Sequence, residues 1–160
     1  MIPIIEERDA SLAHAEVTLA AGAALAPAMT GGMVVTLSGE LGAGKTTLVR
    51  GALRRLGWAG PVKSPTYTLV EHYAFSSLYF YHFDFYRFND PTEWESTGFS
   101  EYFQPTAVCL IEWPERVAMR LPVVDLALAL TVQGSGRSLH LAARTAAGKA
   151  CLAAYAATSS

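Results

Sequence analysis

The chain has 160 residues, of which 51% are hydrophobic and 16% charged, with a formal net charge of −2. That length suits one domain, 1–160, with a single sizeable core. Only three lysines occur, Lys45, Lys63 and Lys149, too few for a basic face that grips nucleic acid by its phosphates, and no apolar run reaches the roughly 20 residues of a membrane span.

In chain order, Met1–Asp9 lacks the basic start of a signal peptide, which points to a cytoplasmic chain, and Ile2–Ile5 reads as an edge strand. Ser11–Ala26 is rich in alanine and leucine and predicts a helix with Asp9 or Ser11 as its N-cap. Met33–Ser38 is a short apolar, β-branched run, as a buried strand requires. Thr47–Leu56 reads as a helix closed by Gly57 at C′. Pro61–Thr66 is a loop, followed by strands at Tyr67–Ala74 and Leu78–Phe83, the second ending at Asp84. Asp90 and Pro91 open a short helix through Ser96, as N-cap and N1. Ala107–Ile111 is a fully apolar strand ending at Glu112, and its Cys109 reads as a buried thiol. With Cys151 it shows no metal or redox spacing. Asp125–Val132 and Ser138–Ala143 form a strand pair joined by Gly134-Ser135-Gly136, and Lys149–Ala156 is helical before a frayed tail at Ala156–Ser160. Strands alternating with helices predict a three-layer α/β sandwich of phosphate-loop type, with a mostly parallel sheet and antiparallel strands towards the C-terminus.

Between the first buried strand and its helix, Gly39-Glu40-Leu41-Gly42-Ala43-Gly44-Lys45-Thr46 fills every position of G-x-x-x-x-G-K-[ST]. The glycines let backbone N–H groups approach phosphate oxygens, and the positive end of the following helix faces the same anion. Lys45 is placed to reach the β- and γ-phosphates, and the Thr46 hydroxyl to ligate Mg²⁺. Such a loop also needs carboxylates to place the cation and a water. In open α/β sheets ligands sit beyond the carboxyl ends of the strands, so Asp84 and Glu112 are the candidates. We assign Glu112 as a Mg²⁺ ligand with Thr46. Asp84 is the second acid, acting through a metal-bound water or by orienting the attacking water. The sequence leaves open which of the two touches the cation directly. His82 lies among aromatics and reads as a core or rim histidine. Trp113 covers the nucleotide or packs in the core. Arg87 and Arg137 are candidates for charge compensation.

Four segments, Ser38–Thr47, Val62–Val70, Tyr81–Arg87 and Ile111–Arg116, closely resemble the TsaE (YjeE) family. KSPTYTLV followed by YHFDFYR and IEWPER is far more specific than the phosphate loop alone. The resemblance implies a protein that binds and weakly hydrolyses ATP. It also implies partnership with TsaD and TsaB in threonylcarbamoyladenosine modification of tRNA, reaching the tRNA through that complex without performing the transfer. By matching position, Glu40, Leu41, Gly42, Ala43, Gly44, Lys45 and Thr46 would hold phosphates, with Arg137 near the nucleotide; Thr47 and Trp113 stand beside them as candidate cofactor-binding residues. Thr46 and Glu112 would hold Mg²⁺, Asp84 would support hydrolysis, and Ser64–Tyr67 would be a switch-like segment. The N-terminal helix is poorly matched, and Thr18 is a weak candidate for a nucleotide contact there. The rival readings are a small-molecule kinase, which would need an arginine-rich lid, and a GTP switch, which would need Asn-Lys-x-Asp. The chain has neither.

Overall fold

A computed structural model describes residues 2–90 and 92–158. In chain order the elements are β1 (Glu6–Leu12), α1 (Ala15–Leu25), β2 (Val34–Ser38), α2 (Lys45–Arg55), β3 (Val70–Ala74) and β4 (Tyr79–Asp84). Then follow α3 (Glu93–Thr97), β5 (Ala107–Glu112), β6 (Leu126–Gln133), β7 (Gly136–Ala143) and α4 (Ala146–Thr158). The strands form one seven-stranded sheet in the order β1-β7-β6-β2-β5-β4-β3.

The expected sheet was mostly parallel with antiparallel strands at one end; the observed sheet is mixed. Its β6-β2-β5-β4 centre is parallel, and both flanks are antiparallel, β7 and β1 on one side and β3 on the other. The reason is local: Phe75–Leu78 closes a tight connection, with the Phe75 N–H donating to the Leu78 carbonyl at 2.9 Å, so β3 folds back on β4 as a hairpin.

Strand alternation divides the core. Val35 and Leu37 of β2, Phe80 of β4 and Val108 and Leu110 of β5 face α1, α2 and α4. Val34, Phe83, Cys109 and Ile111 face the opposite way, into an aromatic cluster with Phe85, Phe88, Trp94 and Phe99. Burial pushes the Cys109 thiol up to about 12 and Cys151 to about 11, so both are inert packing groups.

Several boundaries move. The N-terminal strand is Glu6–Leu12 and not Ile2–Ile5, because this segment zips antiparallel onto β7, with Leu12 buried inward. Asp9 and Ser11 are therefore strand residues, and the extended His14 occupies the N-cap of α1 without a side-chain bond. Tyr67–Leu69 belong to a turn ahead of β3, with the Leu69 N–H donating to the Pro65 carbonyl at 2.9 Å. Thr92, and not Asp90, is the N-cap of α3, while the expectation for Pro91 lies outside the described residues. Helix α4 starts earlier than expected and runs through Thr158, so of the anticipated frayed tail only Ser159 and Ser160 lie outside the described residues. Among the described residues no helix is long and apolar enough to cross a membrane.

Candidate functional site

The loop Gly39–Gly44 carries the chain from the end of β2 to the start of α2. Gly44 caps α2 at φ 105°, a left-handed conformation that a side chain strains. The first N–H groups of α2 have no acceptor within the helix, and they open towards the sheet's carboxyl end. The loop carbonyls are held away from them. Arg137, on β7, donates from Nε to Ala43 O at 2.9 Å and from Nη2 to Gly42 O at 3.1 Å. The guanidinium thus orders the phosphate-type loop from behind. Lys45, only 5% exposed, donates from Nζ to the Gly39 carbonyl.

Opposite Lys45 stand the two strand-end acids. In the parallel β4–β5 ladder Asp84 pairs with Glu112, so the two carboxylates are lateral neighbours on the face that packs against α2. Both are buried. Glu112 Oε1 lies 3.7 Å from Lys45 Nζ, and its Oε2 lies 2.6 Å from His82 Nε2. Asp84 Oδ1 accepts the Tyr86 N–H at 2.8 Å, and Oδ2 accepts the Thr66 hydroxyl at 3.3 Å. Burial pushes the Asp84 carboxyl above its ordinary value, the Tyr86 N–H opposes this, and the Glu112 charge adds to it. One ammonium faces two acids, so carboxylates outnumber the cation among these buried side chains.

These groups line a cavity of about 220 Å³ that includes Lys45, Thr46, Thr66, Asp84 and Glu112. A second cavity of about 260 Å³ lies across the loop, between the start of α1 and the β6–β7 turn, lined by His14, Thr18, Gly44, Thr47, Ser135 and Arg137. Ser64 Oγ and Thr66 Oγ1 are 2.7 Å apart, which ties the Ser64–Tyr67 segment to Asp84 through Thr66. Tyr67 itself is 81% exposed, with the Arg87 guanidinium 4.5 Å from its ring centroid. Trp113 lines neither cavity. Its backbone is left-handed at φ 56°, and its ring lies over Lys45 Nζ at 4.3 Å and beside Tyr86 at 4.8 Å.

The donor set suits a hard divalent cation. Thr46, Asp84 and Glu112 offer oxygen only, and the surplus negative charge at the two acids is what a cation offsets. Among the described residues no group of three or more His, Cys, Asp or Glu could hold a metal. Two carboxylates and a hydroxyl match Mg²⁺, which is commonly held through one or two carboxylates plus phosphate oxygens.

Of the residues expected from sequence, Leu41, Gly42, Gly44, Lys45, Thr46, Thr47, Asp84 and Glu112 line the smaller cavity together or adjoin it, and Arg137 lines the larger. Glu40 is exposed, although its carbonyl accepts the Ala43 N–H at 3.1 Å. Arg87 touches Tyr67 and not the loop. Sequence reasoning missed His82 as a partner of Glu112. The available signal was its period-2 offset from Asp84, which puts both on one face of β4. It also missed His14 and Ser135, which reach the larger cavity only through the packing of α1 and the β6–β7 turn against the loop.

A family model described as "Threonylcarbamoyl adenosine biosynthesis protein TsaE" matches residues 12–145. The tRNA threonylcarbamoyladenosine biosynthesis protein TsaE of Haemophilus influenzae is 46% identical over 123 residues, 77% of this chain and 78% of the relative. Its counterpart in Bacillus subtilis is 42% identical over 103 residues, 64% of each chain. The crystal structure of YdiB from Bacillus subtilis superposes with a TM-score of 0.82 at 27% identity, covering 100% of this chain and 99% of that one. The chain belongs to the TsaE family of tRNA threonylcarbamoyladenosine biosynthesis.

Proposed function

We propose that this chain is a phosphate-loop ATPase that binds ATP with Mg²⁺ and hydrolyses it slowly. It serves as a cytoplasmic accessory to TsaB and TsaD in tRNA modification. The single observation that carries the reading is the opposition across one cavity of buried Lys45, at the open N-terminus of α2, to the paired acids Asp84 and Glu112. Free amides and an ammonium on one wall suit an anion; adjacent carboxylates on the other suit its cation.

Each residue then has a task. The N–H groups from Gly44 onward and Lys45 hold the phosphates, and Arg137 keeps the loop carbonyls turned back. Thr46, Glu112 and Asp84 would hold the cation. When bound, Mg²⁺ supplies charge neutralisation at the phosphate oxygens. Asp84, with a carboxyl raised by burial, is suited to orienting a water and taking its proton. The larger cavity, with Thr18 and Thr47 on its wall, takes the nucleoside. Thr66 links the Asp84 carboxylate to the exposed Tyr67, so the Ser64–Tyr67 segment reports the state of the site to a docked partner.

Titration calorimetry with ATP and MgCl₂ tests the reading. The unsubstituted chain should give a saturable heat that Lys45→Ala abolishes, whereas Asp84→Ala should retain binding and lose turnover in the presence of TsaB and TsaD. No heat from the well-folded chain would end the proposal.

A further inference from the structure

We infer that His82 is a positioning residue for Glu112: it occupies one carboxylate oxygen so that only the other faces the cavity. This inference rests on the nucleotide reading above. In the β4–β5 register His82 lies opposite Leu110 and Asp84 opposite Glu112, so His82 and Glu112 are diagonal neighbours on the face that packs against α2. The histidine is fully buried and the glutamate 3% exposed. Their contact, Nε2 to Oε2 at 2.6 Å, is the shortest polar contact of either acid.

The acceptor decides the direction of that bond. Nδ1 is buried and has no partner among the described residues. A carboxylate oxygen accepts, so Nε2 carries the hydrogen of this contact. A side chain kept for packing alone would carry no buried, unmatched nitrogen, since an apolar group fills the same space without that cost. The imidazole at this position is explained by the bond it donates.

The consequence is geometric. With Oε2 taken, Oε1 is the oxygen left facing Lys45 at 3.7 Å and the cavity. Asp84 is divided in the same way. The Tyr86 N–H takes Oδ1 at 2.8 Å, and Oδ2 carries only the longer 3.3 Å bond from the Thr66 hydroxyl. Each acid therefore presents one oxygen, its rotamer set by a donor from the fold, and His82 does for Glu112 what a backbone amide does for Asp84. Carboxylates oriented in this way from behind typically hold a metal roughly 10–100-fold more tightly than unsupported ones.

Two substitutions separate this role from packing. Gln places its amide nitrogen near the former Nε2, whereas Asn places it near the former Nδ1, with similar polarity and bulk. Mn²⁺ is titrated by electron paramagnetic resonance against the full chain with a non-hydrolysable ATP analogue, and analogue binding is also measured without metal. We expect His82→Asn to weaken Mn²⁺ uptake roughly 10–100-fold with metal-free analogue binding little changed, and His82→Gln to restore uptake. Equal behaviour of the two variants, whether both intact or both impaired, would overturn the role of His82. No Mn²⁺ uptake by the unsubstituted chain with the analogue would overturn the nucleotide reading itself, and the inference with it. If His82→Asn does not fold, long-range ¹H–¹⁵N spectra of the unsubstituted chain decide: a hydrogen on Nε2 supports the assignment, and an Nε2 without one overturns it.

Discussion

Gly22 of α1 and Gly51 of α2 are expected to behave against their helix propensity. In an exposed helix Gly→Ala stabilises by about 1 kcal/mol. Here an added Cβ at Gly22 would sit 1.9 Å from the Leu48 carbonyl oxygen, and one at Gly51 would sit 2.0 Å from that of Leu19. A carbon-to-oxygen contact needs about 3.3 Å, so either methyl must push the helices apart by roughly 1.4 Å along that line. Overpacking against rigid backbone costs about 3 kcal/mol, the upper end of the usual range. Set against the propensity gain, the net loss for each substitution is about 2 kcal/mol, or roughly 4–8 °C in Tm for a chain of this size. Urea unfolding of Gly22→Ala, Gly51→Ala and the double variant measures this directly. The double variant should lose less than the sum, because one methyl opens the seam that the other then occupies. The same opening moves Thr18, whose Cγ2 lies 3.6 Å from a Cβ position on Gly44, so the larger cavity widens and nucleotide affinity falls. A Gly22→Ala chain as stable as the parent would refute the close approach of α1 to α2, and additive losses would refute a shared seam.

Asp84→Asn should raise stability at neutral pH, as removal of a function-linked strain does, while abolishing turnover. The folded carboxyl lies above its ordinary value, so its ionised form costs stability above that folded pKa, and the cost is relieved as pH falls through it. The gain in Tm from the substitution should therefore shrink on acidification; a gain independent of pH would contradict the burial argument. His140 of β7 is bonded through Nδ1 to Asp9 at 2.7 Å and through Nε2 to Glu7 at 3.0 Å, and these acids raise its pKa. A raised folded value means its contribution is complete below the unfolded value of about 6.5 and fades as pH rises through the folded one. His140→Gln should lower Tm in mild acid by more than in mild base, and an unvarying gap across that range would show that the clasp on β1 is inert.

Much of this molecule was readable before folding because the signals were local. The apolar, β-branched run before Gly39 and the good helix formers after Gly44 placed β2 and α2 to within about two residues, and Gly57 closed the helix as expected. The runs ending in Asp84 and Glu112 both became strands that stop at those acids. Errors fell where a distant partner overrides local preference. Glu6–Leu12 has little strand character by itself, and only the free edge of β7 makes it one. The second antiparallel flank is the exception: the three residues between Ala74 and Leu78 are too few for a parallel crossover, a local signal that the sequence reading did not use.

The site divides along the same line. Sequence alone determined the loop, its lysine and its threonine, because a phosphate-type turn between strand and helix is specified by contiguous residues and by glycines with left-handed φ. It also marked two acids as strand ends. Only the tertiary structure decided that β4 and β5 are neighbours in parallel register, which sets Asp84 beside Glu112 and brings His82 to the back of the glutamate. Register between strands separated by more than 20 residues arises from packing the α1–α2 layer on one face and the aromatic cluster on the other. A side chain such as His82 therefore reads as core filler until its neighbour across the sheet is known.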